Sequence, residues 1–159
     1  MTNQAENHDC CGRAIAAPAA CPACSRPGRP VKSVTLDHHL APALRARLGS
    51  PAGFCPNPAC GVVYFSGHKT ILKGETLQPV TCKDPGDDVH VCYCFNIRRS
   101  DIRRDLAARG STDVINRIRS GIAAGGCSCE KLNPGGACCL GDVVAEIQKI
   151  KVEKAHGGQ

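Results

Sequence analysis

Cysteine spacing constrains this chain more than any other feature. Thirteen of the 159 residues are cysteine, and twelve fall into short-spaced groups: Cys10-Cys11, Cys21/Cys24, Cys55/Cys60, Cys92/Cys94, Cys127/Cys129 and Cys138-Cys139, with Cys82 alone. Aromatic residues are only 3% of the chain, with three Phe, two Tyr and no Trp, so no small unit of it can bury much apolar surface. Below about 70–80 residues a folded unit needs a staple, either disulfides or a metal. The compartment decides which. Met1 to Asp9 is polar, and the only early apolar run, Ala14 to Ala20, is short and broken by Pro18. It does not read as a signal peptide, so a cytoplasmic protein is expected. Ala19-Ala20-Cys21 lacks the hydrophobic region that a lipoprotein signal requires. Nothing approaches the ~20 apolar residues of a membrane span, and no membrane insertion is expected. In a reducing compartment, paired cysteines read as metal ligands rather than disulfides.

In chain order, residues 1–20 read as a flexible tail carrying His8 and the vicinal Cys10-Cys11. Two soft thiols suit Cu(I) as a transient site, although adjacent thiols without a scaffold rarely set a geometry and the plainer reading is an unligated tail. Residues 21–78 read as a zinc-binding module. Cys21-Pro22-Ala23-Cys24 and Cys55-Pro56-Asn57-Pro58-Ala59-Cys60 make two chelating knuckles, and four thiolates in a tetrahedron are what a structural zinc site requires. Gly61 supplies a permissive backbone after the second knuckle. Between the knuckles, Val31 to Leu36 reads as a strand. Ala41 to Leu48 reads as a helix with Leu40, Leu44 and Leu48 on one face and Gly49 as its stop. Val62-Val63-Tyr64-Phe65 and Thr70-Ile71-Leu72 flank a turn and read as a hairpin. The pattern is that of a zinc-ribbon or treble-clef-like module, in which metal binding worth about 10 kcal/mol or more folds a small core. His38-His39 offers two more nitrogens, but four thiols suffice, and both are expected as surface histidines at the helix start. Net charge is +6 with 14 acidic residues interspersed. The module lacks the clustered basic and stacking aromatic residues of a nucleic-acid binder, so no nucleic-acid partner is expected.

Residues 79–91, with Pro79, Pro85-Gly86 and Asp87-Asp88, read as a linker, and Cys82 as a spare thiol. Residues 92–152 read as a second, all-helical module, followed by a polar tail over 153–159; the fold class is α+β. Ser100 caps a helix with Asp101 in its first turn, Ile102 and Leu106 inward and Gly110 as its stop. Ser111 or Thr112 caps a second, with Val114, Ile115, Ile118 and Ile122 at helical spacing and Gly125-Gly126 at its end. A third begins near Gly141 and buries Val143, Val144, Ile147 and Ile150. Folded back, these helices bring Cys92 and Cys94 to Cys127, Cys129, Cys138 and Cys139, the way distant thiolates come to share an iron–sulfur cluster. A single residue between two ligands is tighter than the usual zinc knuckle, and a Gly-rich closing loop can wrap a larger inorganic core, which favours [2Fe-2S] over a second zinc. Arg98, Arg99, Arg103, Arg104, Arg109, Arg117 and Arg119 either offset the charge of such a cluster, dock an acidic partner or form a solvated helix face. His90 has no Ser, Asp or Glu pattern around it, and no catalytic constellation for hydrolysis or group transfer is present.

The Cys92-Tyr93-Cys94 opening, the arginine-rich spacer and the closing Asn133-Pro134-Gly135-Gly136-Ala137-Cys138-Cys139-Leu140-Gly141-Asp142-Val143 resemble the bacterioferritin-associated-ferredoxin-like [2Fe-2S] domain, in the form found at the N-terminus of CopZ-type copper metallochaperones. The upstream Cys21-Pro22-Ala23-Cys24 and Phe54-Cys55-Pro56-Asn57-Pro58-Ala59-Cys60-Gly61-Val62-Val63-Tyr64-Phe65 resemble the zinc module of the same family, so the resemblance runs over about residues 21–150. It implies Cys92, Cys94, Cys129 and Cys139 as cluster ligands, with Cys127 and Cys138 beside them as alternatives, and Cys21, Cys24, Cys55 and Cys60 as zinc ligands. Full-length members append a heavy-metal-associated domain with its own Cu(I)-binding cysteine pair. None is expected within these 159 residues, so copper transfer falls to Cys10-Cys11, to the spare thiols or to a separate protein. Two functions follow as expectations. One is a metallochaperone-type role in copper handling, with a cluster able to reduce Cu(II) to Cu(I) and a metal-transport ATPase or a separate heavy-metal-associated domain protein as partner. The other is a ferredoxin-like electron carrier or regulatory partner of a larger enzyme, with an acidic redox partner and no copper role.

Overall fold

A computed structural model describes residues 19–157; the Cys10-Cys11 pair lies outside the described residues. The first module is built on a four-stranded antiparallel sheet in the order β1 (Arg29–Val31), β2 (Ala52–Phe54), β3 (Val62–Ser66), β4 (Lys69–Leu72). Helices α1 (Ser33–His39) and α2 (Pro42–Leu48) connect β1 to β2. The β3–β4 hairpin forms where expected, and α2 stops at Gly49, whose φ of 79° suits a residue without a Cβ.

The expected strand over Val31 to Leu36 is corrected. The chain leaves the sheet after Val31 and turns into α1, because Thr35, Leu36, His39 and Leu40 are buried at helical spacing. Packing overrides the strand propensity of Val34 and Thr35. The expectation of surface histidines at the start of the Ala41–Leu48 helix fails for His39, which is 0% exposed in the last turn of α1, while His38 beside it is half-buried.

All of Val62 to Phe65 is buried, which a regular strand facing one core does not explain. A register shift between Val62 and Tyr64 supplies the reason. Val63 and Tyr64 join the larger core with Leu36, Leu48, Phe54 and Ile71, while Val62 and Phe65 pack with Cys21, Cys55 and Cys60. β3 therefore sits between the apolar core and the first thiol group.

The second module is not wholly helical. β5 (His90–Cys92) and β6 (Ile97–Arg98) form a short antiparallel hairpin ahead of α3 (Arg99–Arg109), α4 (Val114–Ala123), α5 (Cys129–Leu132) and α6 (Leu140–His156). The hairpin arises because Val91, Cys92 and Ile97 must reach the core that Ile102, Leu106, Ile118, Val143, Ile147 and Ile150 build, and its turn passes through Asn96 at φ 52°. The cap of α3 also differs from expectation. Arg98 is the N-cap residue, its N–H bonded to the Asp101 carboxylate at 2.9 Å, with Ser100 inside the helix. Gly110 ends α3 in the left-handed conformation. Val144, expected in the core, is 44% exposed, and α6 continues through the segment expected as a polar tail as far as His156.

Of the expected linker, residues 79–89 lack regular structure but are packed, and His90 and Val91 already belong to β5. Val80 belongs to the first core, Lys83 donates to the Asn57 and Cys60 carbonyls, and Arg99 of α3 donates to the carbonyls of Thr81, Asp84 and Gly86. Proline and glycine removed the hydrogen-bond ladder here without removing burial. Arg99 is itself buried against Glu146 of α6 at 2.6 Å.

Two predictions follow from this packing. Removing one partner of a buried ion pair strands the other charge, so Glu146→Ala is expected to lower unfolding free energy in denaturant by about 3–5 kcal/mol. Arg103→Ala, which breaks the solvent-facing pairs to Asp87 and Glu153, is expected to change it by about 1 kcal/mol or less. Among the described residues His39 has no hydrogen-bond partner for either ring nitrogen, and burial with the neighbouring His38 holds its pKa down at about 4. Below the ordinary value near 6.5 the unfolded chain takes up a proton that the folded chain resists, so stability falls as pH drops through the window from 6.5 to 4. His39→Met, similar in volume and unable to titrate, is expected to remove up to about 3 kcal/mol of that acid-side loss, read as the difference between the two proteins in denaturant titrations across that range.

Candidate metal centres

The first thiol group is assembled by two turns. In the first, Ser25 N–H donates to the Cys21 carbonyl and Cys21 N–H to the Arg26 carbonyl, each at 2.8 Å, with Ser25 at φ 60°. The strained position thus falls at Ser25, not at Gly61 where a permissive backbone was expected. In the second, the Asn57 side chain accepts from Ala59 N–H and its carbonyl from Cys60 N–H, while Cys55 N–H is held by the Val63 carbonyl. The sulfurs of Cys21, Cys24, Cys55 and Cys60 all lie within 4.8 Å of one another, with Cys21–Cys60 at 4.0 Å and Cys24–Cys55 at 3.6 Å. Zinc–sulfur bonds of about 2.3 Å at tetrahedral angles place sulfurs about 3.8 Å apart, so the donor set fits zinc in chemistry and size.

Burial and local hydrogen bonds shift these thiols in opposite directions. Burial pushes the Cys55 thiol up to about 12 and raises Cys60, whereas a hydrogen bond from the Arg26 backbone, aided by the Asn57 side chain, brings Cys24 down to about 6. Buried thiols keep their protons until a metal displaces them. Four thiolates around Zn2+ leave a net charge of about −2, and the buried Lys83 ammonium lies over the second knuckle, bonded to the Asn57 and Cys60 carbonyls at 2.5 and 3.0 Å. No sequence signal marks Lys83, which sits alone among Pro, Asp and Gly.

The second thiol group gathers on the far side of the packed seam. Cys92 ends β5 and Cys139 is the N-cap of the 17-residue α6, with their sulfurs 3.1 Å apart. Cys94 and Cys129 are 3.4 Å apart. Hydrogen bonds to Cys129 and Cys92 keep Cys139 protonated above the usual thiol range; those bonds bring Cys129 down to about 5 and Cys92 to about 7. Burial pushes Cys94 up to about 12. Ser128 N–H donates to Cys94 Sγ at 3.2 Å, the kind of amide that stabilises thiolate ligands, and the N-terminus of α6 favours negative charge at Cys139. Four thiols, an amide and a helix terminus fit an iron–sulfur cluster. Cys127 lies 3.4 Å from Cys129, while Cys138 points to solvent. Cys82, half-buried, lines a cavity of about 230 Å3 between the modules beside Arg29, Phe54, Pro134 and Asp142.

Two supports of this group have no obvious sequence signature. Tyr93 aims away from the sulfurs, donating to the Pro79 carbonyl at 2.7 Å with its ring edge-on to His39, and so fixes which way its two neighbouring cysteines point. The loop between Cys129 and Cys139 is folded by Asn133, which accepts from Gly135 N–H and donates to the Ala137 carbonyl. That loop rests on the first module: Tyr64 donates to the Pro134 carbonyl at 2.7 Å and Thr35 to the Glu130 carbonyl at 2.6 Å. Of the seven arginines, Arg98, Arg99, Arg103, Arg104 and Arg109 pair with carboxylates; among the described residues Arg117 and Arg119 have no ion pair. The helix face is largely self-neutralised.

Comparison with known proteins adds to this geometry. Residues 18–78 match the CopZ-type family model described as "Zinc binding domain". The first module is thus similar to that zinc-binding domain. The chain is 29% identical over 119 residues to the copper chaperone CopZ of Archaeoglobus fulgidus, an alignment that covers 75% of this chain and 57% of the relative. The chain thus spans little more than half of that protein's length. The fold is similar to the X-ray structure of the Archaeoglobus fulgidus CopZ N-terminal domain, with a TM-score of 0.69, 27% identity, and coverage of 79% of this chain and 95% of that one. Among the described residues no helix is long and apolar enough to cross a membrane.

Support for the zinc thiols by Lys83 is directly testable. Lys83→Met is expected to retain the fold with zinc bound but to release the metal to a competing chelator at about 10–100-fold lower chelator concentration. Cys55→Ser is expected to purify without zinc and with the far-UV signal of the first module lost, read by metal analysis and circular dichroism.

Proposed function

We propose that the chain is a metal-handling protein of the copper-chaperone type, in which Cys21, Cys24, Cys55 and Cys60 hold a structural zinc and Cys92, Cys94, Cys129 and Cys139 hold a [2Fe-2S] cluster. The observation that carries the reading is the convergence of Cys92 and Cys94 with Cys129 and Cys139, across 35 residues and more of sequence, onto sulfur distances of 3.1–3.4 Å. Likeness to a copper chaperone over 75% of the chain supports copper as the cargo.

A cluster held there supplies one-electron transfer, including the single electron that takes Cu(II) to the Cu(I) that soft thiolates carry. The chain's own residues set the conditions. Cys139 at the N-terminus of α6 and the Ser128 amide stabilise thiolate charge, and the half-exposed Cys94 gives the site one edge toward solvent. The zinc thiols also have one half-exposed member, Cys24, but four thiolates around zinc leave no open coordination position, so the zinc is assigned to structure. Cys10 and Cys11 are assigned as the soft-metal contact, and a metal-transport ATPase or a separate heavy-metal-associated domain as the recipient.

Anaerobically purified protein is expected to contain about two irons, two sulfides and one zinc per chain, with a cluster absorption spectrum that bleaches and an EPR signal that develops on reduction. A colourless preparation holding two zincs and no sulfide would falsify the cluster. Titration of the loaded protein with Cu(I) is expected to show tight binding that is lost when Cys10 and Cys11 are replaced by Ser; absence of binding in either protein would leave an electron carrier with no copper role.

A further inference from the structure

We infer that Cys127 is a fifth thiol of the second site, a reserve ligand on its solvent side that can take the place of Cys129. The inference rests on the reading of that site as an iron–sulfur centre. Its Sγ lies 3.4 Å from Cys129 Sγ, and the sulfurs of Cys94, Cys127 and Cys129 all fall within 4.8 Å of one another, a spacing that one metal ion spans.

The backbone supports the same conclusion. Cys127-Ser128-Cys129 repeats the one-residue spacing of Cys92-Tyr93-Cys94, and the amide between the two later cysteines is the one bonded to Cys94 Sγ at 3.2 Å. Both Cys127 and Cys129 therefore hang from a peptide already fixed on the first pair. They differ in freedom. Cys129 is buried and begins α5, while Cys127 is exposed and follows Gly125, at φ 79°, and Gly126. The glycine pair, bonded to the Ile122 and Gly121 carbonyls at 2.9 Å, turns the chain at the end of α4 and sets Cys127 on the solvent side of the group, where a side-chain rotation can carry its sulfur the short distance to the Cys129 position. Cys138 is the natural comparison, because it also adjoins a proposed ligand and is exposed, yet it belongs to no thiol group among the described residues.

Five thiols where four suffice let one iron change ligand at the solvent edge without release of the cluster. A thiophilic ion arriving from solvent meets Cys127 before any buried ligand.

The test compares full-length Cys129→Ala, Cys127→Ala/Cys129→Ala and Cys138→Ala/Cys129→Ala, purified anaerobically and analysed for iron, sulfide, zinc, absorption and EPR. Alanine is chosen because it cannot ligate. Cys129→Ala is expected to keep at least half of the wild-type iron and sulfide with a shifted EPR signal. The Cys138 double variant should match it, and the Cys127 double variant should hold less than a tenth. Loss of the cluster from Cys129→Ala with zinc content and circular dichroism unchanged overturns the inference, as does equal retention in both double variants. If wild-type protein itself lacks iron and sulfide, the cluster reading falls and this inference with it; if only Cys129→Ala lacks them, the cluster reading stands and this inference alone falls. Should Cys129→Ala not fold, Cys127→Ala in the otherwise unchanged chain decides. It is expected to lose iron to a ferrous chelator several-fold faster than wild type, and an unchanged rate overturns the assignment.

Discussion

The contact between the Asn133–Gly136 loop and the first module is the constraint on which both thiol groups depend. Tyr64 is buried and its hydroxyl requires a partner; the Pro134 carbonyl provides it at 2.7 Å. Gly136, at φ 65°, lies so close to Thr35 that a Cβ there would sit 3.1 Å from the hydroxyl oxygen, and Gly135 abuts Arg29 and Phe54. A loop with side chains at these positions would stand off the sheet. Cys129 and Cys139 bracket this loop, so their placement is set by how it lies on β3 and α1. On the opposite side of β3, Val62 and Phe65 pack against Cys21, Cys55 and Cys60. One strand therefore connects the two thiol groups mechanically, with the register shift at Val62/Tyr64 as the device that lets it face both.

Charge explains why the thiols are arranged with so few formal counter-ions. Thiolates buried in protein need compensation, and of what this chain itself supplies most comes from the backbone rather than from arginine. The Arg26 backbone and the Asn57 side chain serve Cys24, the Ser128 amide serves Cys94, and the terminus of α6 serves Cys139. Lys83 is the exception, and it approaches through carbonyls rather than by direct ion pairing. The arginines of α3 instead hold the seam together: Arg99 satisfies three carbonyls of residues 81–86 and the Glu146 carboxylate at once. A bidentate, five-donor side chain suits that task.

What was legible in the sequence had a short-range physical cause. The hairpin at Gly67, the stop of α2 at Gly49 and that of α3 at Gly110 each follow from a left-handed backbone position beside a periodic apolar run. The cysteine pairs could be grouped because chelation needs short spacing. What was not legible had a long-range cause. Val31 to Leu36 carries strand-forming residues but becomes helix after Val31, since Thr35 is needed at the Glu130 carbonyl. His39 looked like a surface residue because nothing near it in sequence shows that Tyr93 lies over it. Proline, glycine and aspartate made residues 79–91 read as a linker, although Val80, Lys83, Val89 and Val91 are all buried. Composition there reported the absence of a ladder and was silent about packing.

The two thiol groups differ in a way that composition cannot express. Around Cys21, Cys55 and Cys60 the sulfurs are enclosed by β3 and overlaid by Lys83, and only Cys24 approaches the surface. The second group is closed on its Cys92–Cys139 side, where a strand and a helix terminus meet in the core, and open on its Cys94–Cys127 side, where a loop preceded by two glycines carries an exposed thiol. Enclosure slows ligand exchange and suits a structural ion. An open edge admits electrons, protons and competing soft ions. The Gly125-Gly126 pair closes the end of α4 through bonds to the Ile122 and Gly121 carbonyls at 2.9 Å and turns the chain to bring Cys127 to the solvent side, while Asn133–Gly136 is anchored on the first module. The two groups thus differ in enclosure: the first has one half-exposed thiol, and the second has one half-exposed and one exposed.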